Sequence, residues 1–196
     1  VDFLTTELNL ALKDKHLGVP LAKKAEKIVV EFSSPNIAKE LHVGHLRSTI
    51  IGDSLARLFE FLGYEVLRLN HVGDWGTQFG MLIVYLKNFA PDVLTGKQKA
   101  DLSLLTQWYK EAKKKFDEDT AFKKEAQEEV VKLQGGEKAA LKAWQIICDI
   151  SREAFKAIYK LLDIKITERG ESFYNPYLSK IVQDLEQKGL IAISAG

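Results

Sequence analysis

The chain has 196 residues, and at about 150 residues per domain this length corresponds to one large domain with an appendage. Its 28 basic and 27 acidic side chains nearly cancel, which argues against histone-like binding of nucleic acid driven by net charge. Hydrophobic residues make up 46% of the chain. That content is enough to build a core, so intrinsic disorder is excluded.

Cysteine usage and hydropathy narrow the class of protein further. Cys148 is the only cysteine, so no intramolecular disulfide and no cysteine-based zinc site can form. This fits a reducing compartment, and we expect a cytoplasmic location. No apolar run approaches the roughly 18 residues of a membrane span, and the start lacks the pattern of a signal peptide. The chain begins with valine, and we interpret it as a piece of a longer protein.

The first third of the chain predicts a helix followed by a βαβ unit. Residues 1–26 carry a weak apolar stripe at helical spacing and predict a polar helix. Residues 27–32 are rich in β-branched side chains and predict a buried strand. A helical pattern begins after Gly44 and ends at Gly63, and residues 64–70 alternate as in a second strand. Strand, helix and strand at this spacing predict parallel strands and a right-handed crossover.

The remaining sequence predicts mainly helices. Four aromatic residues at helical spacing predict core positions: Trp108, Phe116, Phe122 and Trp144. Asp74 follows the second strand and is expected to cap the next helix. The further predicted elements are a helix over residues 76–89, a helical stripe over residues 98–134, a helix over residues 141–161, a strand over residues 164–167, a helix over residues 175–188 and a strand over residues 190–193.

Two histidines lie in the loop between the first strand and its helix, at the sheet edge where open parallel sheets bind ligands. His42 and His45 are three positions apart, so in a first helical turn they project to the same side. Their ring N–H groups add to the backbone N–H groups of the helix N-terminus and form a site for phosphate oxygens. Gly44, which has no Cβ, allows a flat ring to lie against the backbone. The pattern predicts attack on a nucleotide α-phosphate; two capping histidines are the alternative.

The same segment resembles a known family. Residues 33–48, with the string His42-Val43-Gly44-His45, are similar to the His-Ile-Gly-His signature of class I aminoacyl-tRNA synthetases, and to arginyl-tRNA synthetases in particular. Residues 70–80 and 169–172 carry the same resemblance. It implies an α/β fold with a Rossmann-like parallel sheet of the nucleotidylyl transferase type. The implied catalytic domain covers residues 28–196, with a helical insertion at about residues 98–161, after a lead-in over residues 1–27.

The resemblance also implies which residues bind arginine. Ser34 and Asn36 would hold its α-amino and carboxylate groups, and Gln78 would line the same pocket. A planar guanidinium calls for a carboxylate that accepts two parallel N–H bonds, and Glu171 is the candidate for this role. Glu168 is the nearby alternative.

A second group of residues is implied for ATP and catalysis. His45 would sit at the junction of arginine and ATP, and His42 would contact the phosphate or ribose region, with Gly44 between them. Lys39 occupies the position of a lysine thought to neutralise triphosphate charge in family members without the usual loop lysine. Mg²⁺ would accompany the nucleotide phosphates, so no protein residue is assigned to a metal.

The implied activity is ATP-dependent activation of L-arginine and its transfer to tRNA-Arg. The second half of the catalytic domain and the anticodon-binding domain would lie outside this chain, so we expect no aminoacylation by the chain alone. Two alternatives stay open: another α-phosphate nucleotidyl transferase, and a non-catalytic synthetase fragment that acts as a binding module. A cysteinyl-type site is excluded, because Cys148 alone cannot supply its zinc ligands.

Overall fold

The computed structural model describes residues 1–192. Their contacts form two compact units, and neither unit is continuous in sequence. We refer to them as the sheet unit and the helical unit. The sheet unit comprises Val1–Pro35, Glu40–His71 and Glu153–Glu168, and the helical unit comprises Asn36–Lys39, Val72–Arg152 and the residues from Arg169 onward.

The sheet unit contains three parallel strands in the order β1–β2–β3 among the described residues. Ile28 lies opposite Val66, and the predicted βαβ unit is confirmed. The expectation of a buried first strand was wrong, because only alternate side chains of β1 are partly covered and Val29 is 59% exposed. The strands are β1 Lys27–Glu31, β2 Glu65–Asn70 and β3 Thr167–Glu168.

Two helices precede the second strand in the sheet unit, α1 Asp2–Lys13 and α2 Val43–Phe61. Helix α2 lies close to the residue after β1, because a Cβ on Gly52 would overlap the buried ring of Phe32. Gly63, with φ of 89°, follows the helix as predicted. This close approach places the middle of α2 near the carboxyl end of β1.

A buried carboxylate ties α2 to the neighbouring strand. Asp53 accepts hydrogen bonds from Arg57 at 2.6 Å and from Arg68 on β2. Arg68 also donates to Glu60 at 2.6 Å, and this carboxylate, through its hydrogen bond and charge, raises the pKa of the guanidinium. The two arginines compensate the cost of removing the Asp53 carboxylate from water.

The helical unit is built around a central helix. This helix is α3, Thr77–Phe89, and every residue in it from Phe79 to Leu86 is buried, because the neighbouring helices pack around it. A Cβ on Gly80 would overlap the carbonyl of Ala126, so these two helices are in backbone contact. The helices that begin in this unit are α3 Thr77–Phe89, α4 Pro91–Leu94, α5 Leu102–Glu118, α6 Thr120–Gln134, α7 Lys138–Leu161 and α8 Asn175–Gln187.

The predicted helical stripe over residues 98–134 is two helices, α5 and α6. Asp119 separates them: it ends α5 in an extended conformation and caps α6 by accepting from Ala121 N at 2.8 Å and Phe122 N at 3.1 Å. The apolar positions on either side of the break, Phe116 and Phe122, are six residues apart instead of three or four, so the spacing itself contained a signal of the break. A second signal was the aspartate followed by threonine, which favours a helix start.

Four other expectations are corrected. The strand predicted at residues 164–167 is displaced, because β3 shares only Thr167 with it; residues 190–192 form no strand, and Ile193 lies outside the described residues. A 3₁₀ helix, Glu171–Tyr174, precedes α8 and was not predicted. Trp108 and Phe122 are buried as expected, but Phe116 and Trp144 are only half-buried. None of the helices found in residues 1–192 has the length and apolarity needed to cross a membrane.

Candidate functional site

The two histidines of the predicted phosphate loop are joined by hydrogen bonds at the start of α2. His42 is the N-cap, and its Nδ1 accepts from Gly44 N at 3.1 Å. His45 Nδ1 accepts in turn from His42 N at 3.2 Å, and the ring centroids are 3.9 Å apart. The histidines are therefore capping residues, as the alternative reading of the sequence expected, and they are neighbours on one side of the helix start.

This arrangement fixes the tautomer of both rings. A neutral imidazole that accepts through Nδ1 carries its proton on Nε2. The ring of His42 lies over Gly44, where a Cβ would be 2.9 Å from His42 Cε1. The predicted close approach of a flat ring to Gly44 is thus made by His42 itself. When neutral, each of the two rings therefore carries its N–H group at Nε2.

Ser34 lies in a strained turn at the carboxyl end of β1. Ser33 has φ of 70° and Ser34 has φ of 45°, a region that residues other than glycine rarely adopt. The Ser34 hydroxyl donates to Glu31, and Ser34 N donates to Asn70 Oδ1 at 2.9 Å. Strain of this kind persists only where surrounding contacts hold it, and it concentrates at functional sites.

Four of the predicted site residues line one cavity in the helical unit. The cavity has a volume of about 270 Å³ and includes Asn36, Lys39, Gln78 and Glu171 in its wall. This is slightly below the roughly 300–1,000 Å³ of pockets for drug-sized ligands, so it suits a molecule the size of an amino acid. Its other lining residues are Ile37, Trp75 and Tyr109. Ser34, His42, Gly44 and His45 belong to the sheet unit.

Asn36 is positioned by a backbone bridge to the loop after β2. It pairs with Gly73, and Ile37 N donates to Gly73 O at 3.1 Å. A Cβ on Gly73 would overlap the Asn36 side-chain oxygen, so the glycine is required by this contact. Lys39 in the same segment places its ammonium 5.6 Å from the centre of the Tyr109 ring, within the range of a cation–π contact.

Asp74 does not cap the helix that follows it; Gly76 occupies the N-cap position of α3. The buried Asp74 carboxylate instead accepts from Ser172 N at 2.8 Å, Ser172 Oγ at 2.8 Å and Arg152 at 3.3 Å. A Cβ on Gly170 would overlap this carboxylate. Sequence reasoning missed this role because the partners are about 80–100 positions away, which leaves no local pattern.

Hydrogen bonds at Glu171 itself and at the next residue fix the position of its backbone. Its backbone N donates to Val72 O at 3.0 Å, and its neighbour Ser172 is bound to Asp74. None of the ion pairs within residues 1–192 involves the exposed carboxylate of Glu171. Gln78 donates to Trp75 O at 3.2 Å, so its amide is also fixed. The cavity therefore presents a carboxylate, an ammonium and two amides, which complement a zwitterion with a cationic tail.

The described part of the chain builds no metal site of its own. No group of three or more histidine, cysteine, aspartate or glutamate side chains in it is arranged to hold a metal ion. This donor set does not fit a resident Mg²⁺ held by protein ligands. A magnesium ion at this site would need the oxygens of a nucleotide and water.

Comparison with known proteins decides the family. Residues 7–196 match the family described as tRNA synthetases class I (R), catalytic domain. The chain belongs to this family. The resemblance seen in the histidine loop and in residues 70–80 and 169–172 is thus confirmed, and so is the α/β class I synthetase fold.

Relatives of the synthetase family cover the whole chain. It is 64% identical over 195 residues to the arginine–tRNA ligase of Protochlamydia amoebophila, which covers 100% of this chain and 33% of the relative. It is 59% identical over 194 residues to the arginine–tRNA ligase of Nostoc punctiforme, and this match covers 99% of this chain and 33% of the relative. The chain therefore spans about a third of the length of the curated relatives it matches.

Two solved structures support the fold. The arginyl-tRNA synthetase of Plasmodium falciparum is 39% identical with a TM-score of 0.80, and the match covers 99% of this chain and 34% of that one. The arginyl-tRNA synthetase of Thermus thermophilus is 26% identical with a TM-score of 0.64, and the match covers 93% of this chain and 30% of that one. The three parallel strands with their flanking helices therefore form the α/β arrangement of the class I synthetases.

Proposed function

We propose that the protein containing this chain is an arginine–tRNA ligase that works in the cytoplasm. It activates L-arginine with ATP to arginyl-adenylate and transfers the arginine to tRNA-Arg. The observation that carries the proposal is the cavity of the helical unit, which gathers Asn36, Lys39, Gln78 and Glu171. Relatives that are 64% and 59% identical and named arginine–tRNA ligases support this substrate.

Arginine binding is assigned to two sets of residues. Glu171 accepts two N–H bonds from the guanidinium, and Gln78 adds an amide partner. Asn36 and Ser34 bind the α-amino and carboxylate groups. A carboxylate committed to a guanidinium also rejects neutral side chains of similar shape, because the acid would then be left without a partner.

The nucleotide is assigned to the start of α2. The arginine carboxylate oxygen forms a bond to the α-phosphorus of ATP, the bond to the bridging oxygen breaks, and pyrophosphate leaves with its electron pair. His42 and His45 donate their Nε2–H groups to the phosphate oxygens on which negative charge develops. Lys39 offsets triphosphate charge, and Mg²⁺, held by the phosphates, would supply further charge neutralisation.

Transfer to tRNA completes the proposed reaction. The tRNA 3′-terminal hydroxyl oxygen forms an ester with the arginyl carbonyl carbon, and AMP leaves. We assign residues 28–196 to part of the catalytic domain, residues 98–161 to its helical insertion and residues 1–27 to a lead-in. The rest of the catalytic domain and the anticodon-binding domain would belong to the remaining two thirds of the protein. We therefore expect no tRNA charging by residues 1–196 alone.

The test is pyrophosphate exchange into ATP by the full-length protein in the presence of tRNA-Arg, because arginyl enzymes are among those that need bound tRNA for this first step. Arginine should support the exchange, and other amino acids should not. Replacement of both His42 and His45 by alanine should lower the exchange rate by about a hundredfold or more, the cost of removing donors to developing charge. His16→Ala is the matched control, since His16 binds the carbonyl of Phe61 at the end of α2.

Each alternative predicts a different result. A double histidine variant with an unchanged rate would contradict the assignment of the nucleotide site. Exchange driven by a different acid would identify another nucleotidyl transferase. A full-length protein with no exchange activity even in the presence of tRNA-Arg would favour the binding module.

A further inference from the structure

Three buried polar side chains of the sheet unit form a closed set of hydrogen bonds around the strained turn. The hydroxyl of Tyr159 on α7 lies 2.7 Å from Ser33 Oγ and accepts from Asn70 Nδ2 at 3.2 Å. The oxygen of the same Asn70 amide accepts from Ser34 N at 2.9 Å. The hydrogen bonds therefore connect Ser33 to Ser34 through Tyr159 and Asn70.

The three polar side chains of this set are unusually well buried. Ser33, Asn70 and Tyr159 are 5%, 2% and 7% exposed, so each would cost free energy if it lost its partner. Burial raises the pKa of Tyr159, which keeps the hydroxyl protonated at physiological pH. A hydrophobic contact could fill the same space, so packing alone does not account for a polar set here.

This set of hydrogen bonds holds backbone angles that the chain would not adopt by itself. Two consecutive serines with φ of 70° and 45° are costly, and they keep these angles only where other contacts fix them. The Ser34 hydroxyl points to Glu31 from this turn, and His71 N donates to the same hydroxyl at 3.3 Å. Its direction thus depends on the turn.

We propose that Tyr159 is a positioning residue for arginine binding: through Ser33 and Asn70 it holds the turn that aims the Ser34 hydroxyl. The proposal rests on the proposed function, in which Ser34 binds the α-amino or carboxylate group of arginine. Tyr159 itself touches no substrate. It acts by keeping one hydroxyl in the direction required for binding.

The experiment measures arginine-dependent pyrophosphate exchange, with tRNA-Arg present, by the full-length protein carrying Tyr159→Phe, which removes only the hydroxyl. The KM for arginine should rise about fivefold, the effect of one lost hydrogen bond, while the KM for ATP stays unchanged. Ser33→Ala removes the other partner of the same hydrogen bond, and it should likewise raise the KM for arginine while leaving the KM for ATP unchanged. Tyr85→Phe is the matched control, because it deletes another buried hydroxyl, whose partner is Glu111 on α5.

A double-mutant cycle separates positioning from general stability. In a Ser34→Ala background, Tyr159→Phe should no longer change the KM for arginine, since the group it positions is gone. A lower melting temperature with an unchanged KM for arginine would overturn the proposal, as would an undiminished effect in the Ser34→Ala background. The unsubstituted protein in the same assay tests the proposed function separately, through its dependence on arginine.

Discussion

Glu171 and Glu168 are three positions apart in the chain, but they belong to different compact units. Glu168 is in β3 of the sheet unit, whereas Glu171 begins the 3₁₀ helix and lines the cavity of the helical unit. The sequence left both acids open as partners of a guanidinium. The shared cavity with Asn36 and Gln78 favours Glu171.

At the residue scale we predict a strong effect of Glu171→Gln on arginine binding by the full-length protein. The amide keeps the size of the side chain but removes the charge that pairs with the guanidinium. Because a hydrogen bond to a charged group contributes about 1.5–3 kcal/mol, the KM for arginine should rise about 10- to 150-fold. Pyrophosphate exchange measured against arginine concentration gives this value.

Glu168→Gln is the matched control, and it should change the KM for arginine by less than about threefold. The reverse pattern, with a large effect at Glu168 and none at Glu171, would move the acid role to Glu168.

The histidine pair shows how far residue chemistry alone could be followed. The spacing of His42 and His45 correctly placed both at a helix start. It did not show that each Nδ1 is occupied by a backbone N–H group. That occupancy depends on the extended φ and ψ of the N-cap residue, which side-chain spacing does not specify.

At the element scale, the short 3₁₀ helix depends on a carboxylate about 100 residues earlier in the chain. Asp74 binds both the backbone N and the hydroxyl of Ser172, and it pairs with Arg152 on α7. Because the segment around Glu171 buries no side chain within the 3₁₀ helix, these bonds replace a hydrophobic anchor. The position of Glu171 therefore follows from Asp74.

We predict that Asp74→Asn lowers the free energy of unfolding of the chain by about 2–4 kcal/mol, because Arg152 loses a buried counter-charge. In the full-length protein the KM for arginine should rise as well, since the 3₁₀ helix loses its acceptor. Denaturant unfolding and pyrophosphate exchange measure the two effects.

Asp149→Asn is the matched control. Asp149 also pairs with Arg152, at 3.5 Å, but its side chain is 57% exposed, so we expect a change within about 0.5 kcal/mol. Equal losses of stability in the two variants would contradict a specific role for the buried carboxylate.

At the scale of the whole molecule, charge and burial set the response to alkaline pH. Burial, with added effects of the Glu111 hydrogen bond and charge, raises the pKa of Tyr85 to about 12 from its ordinary value of 10.0. In the unfolded chain this tyrosine loses its proton near its ordinary pKa. The folded state therefore binds more protons than the unfolded state between pH 10.0 and about 12.

We accordingly predict that the stability of the chain falls as pH rises through this interval, by up to about 3 kcal/mol from Tyr85. Thermal unfolding measured across the interval should show a smaller decline for Tyr85→Phe than for the unsubstituted chain. Identical pH slopes for the two proteins would show that Tyr85 titrates normally when folded.

The sequence by itself determined most of the local elements and the family of the chain. The βαβ unit, the helix start at His42, the end of that helix before Gly63 and the family all follow from patterns within a few tens of residues. Such patterns are readable because apolar periodicity and turn residues act on neighbouring positions. The predictions from these patterns failed at Asp119, which caps a separate helix, and at β3, where only Thr167 of the predicted strand pairs with β2.

Only the tertiary structure decided which residues share a site. It placed Asn36, Lys39, Gln78 and Glu171 around one cavity, gave Asp74 its distant partners and joined Tyr159 to the turn at Ser33. These contacts span separations of about 70 to 135 residues between elements. Their cause is packing and the pairing of buried polar groups, which depend on the whole fold and leave no periodic trace in the sequence.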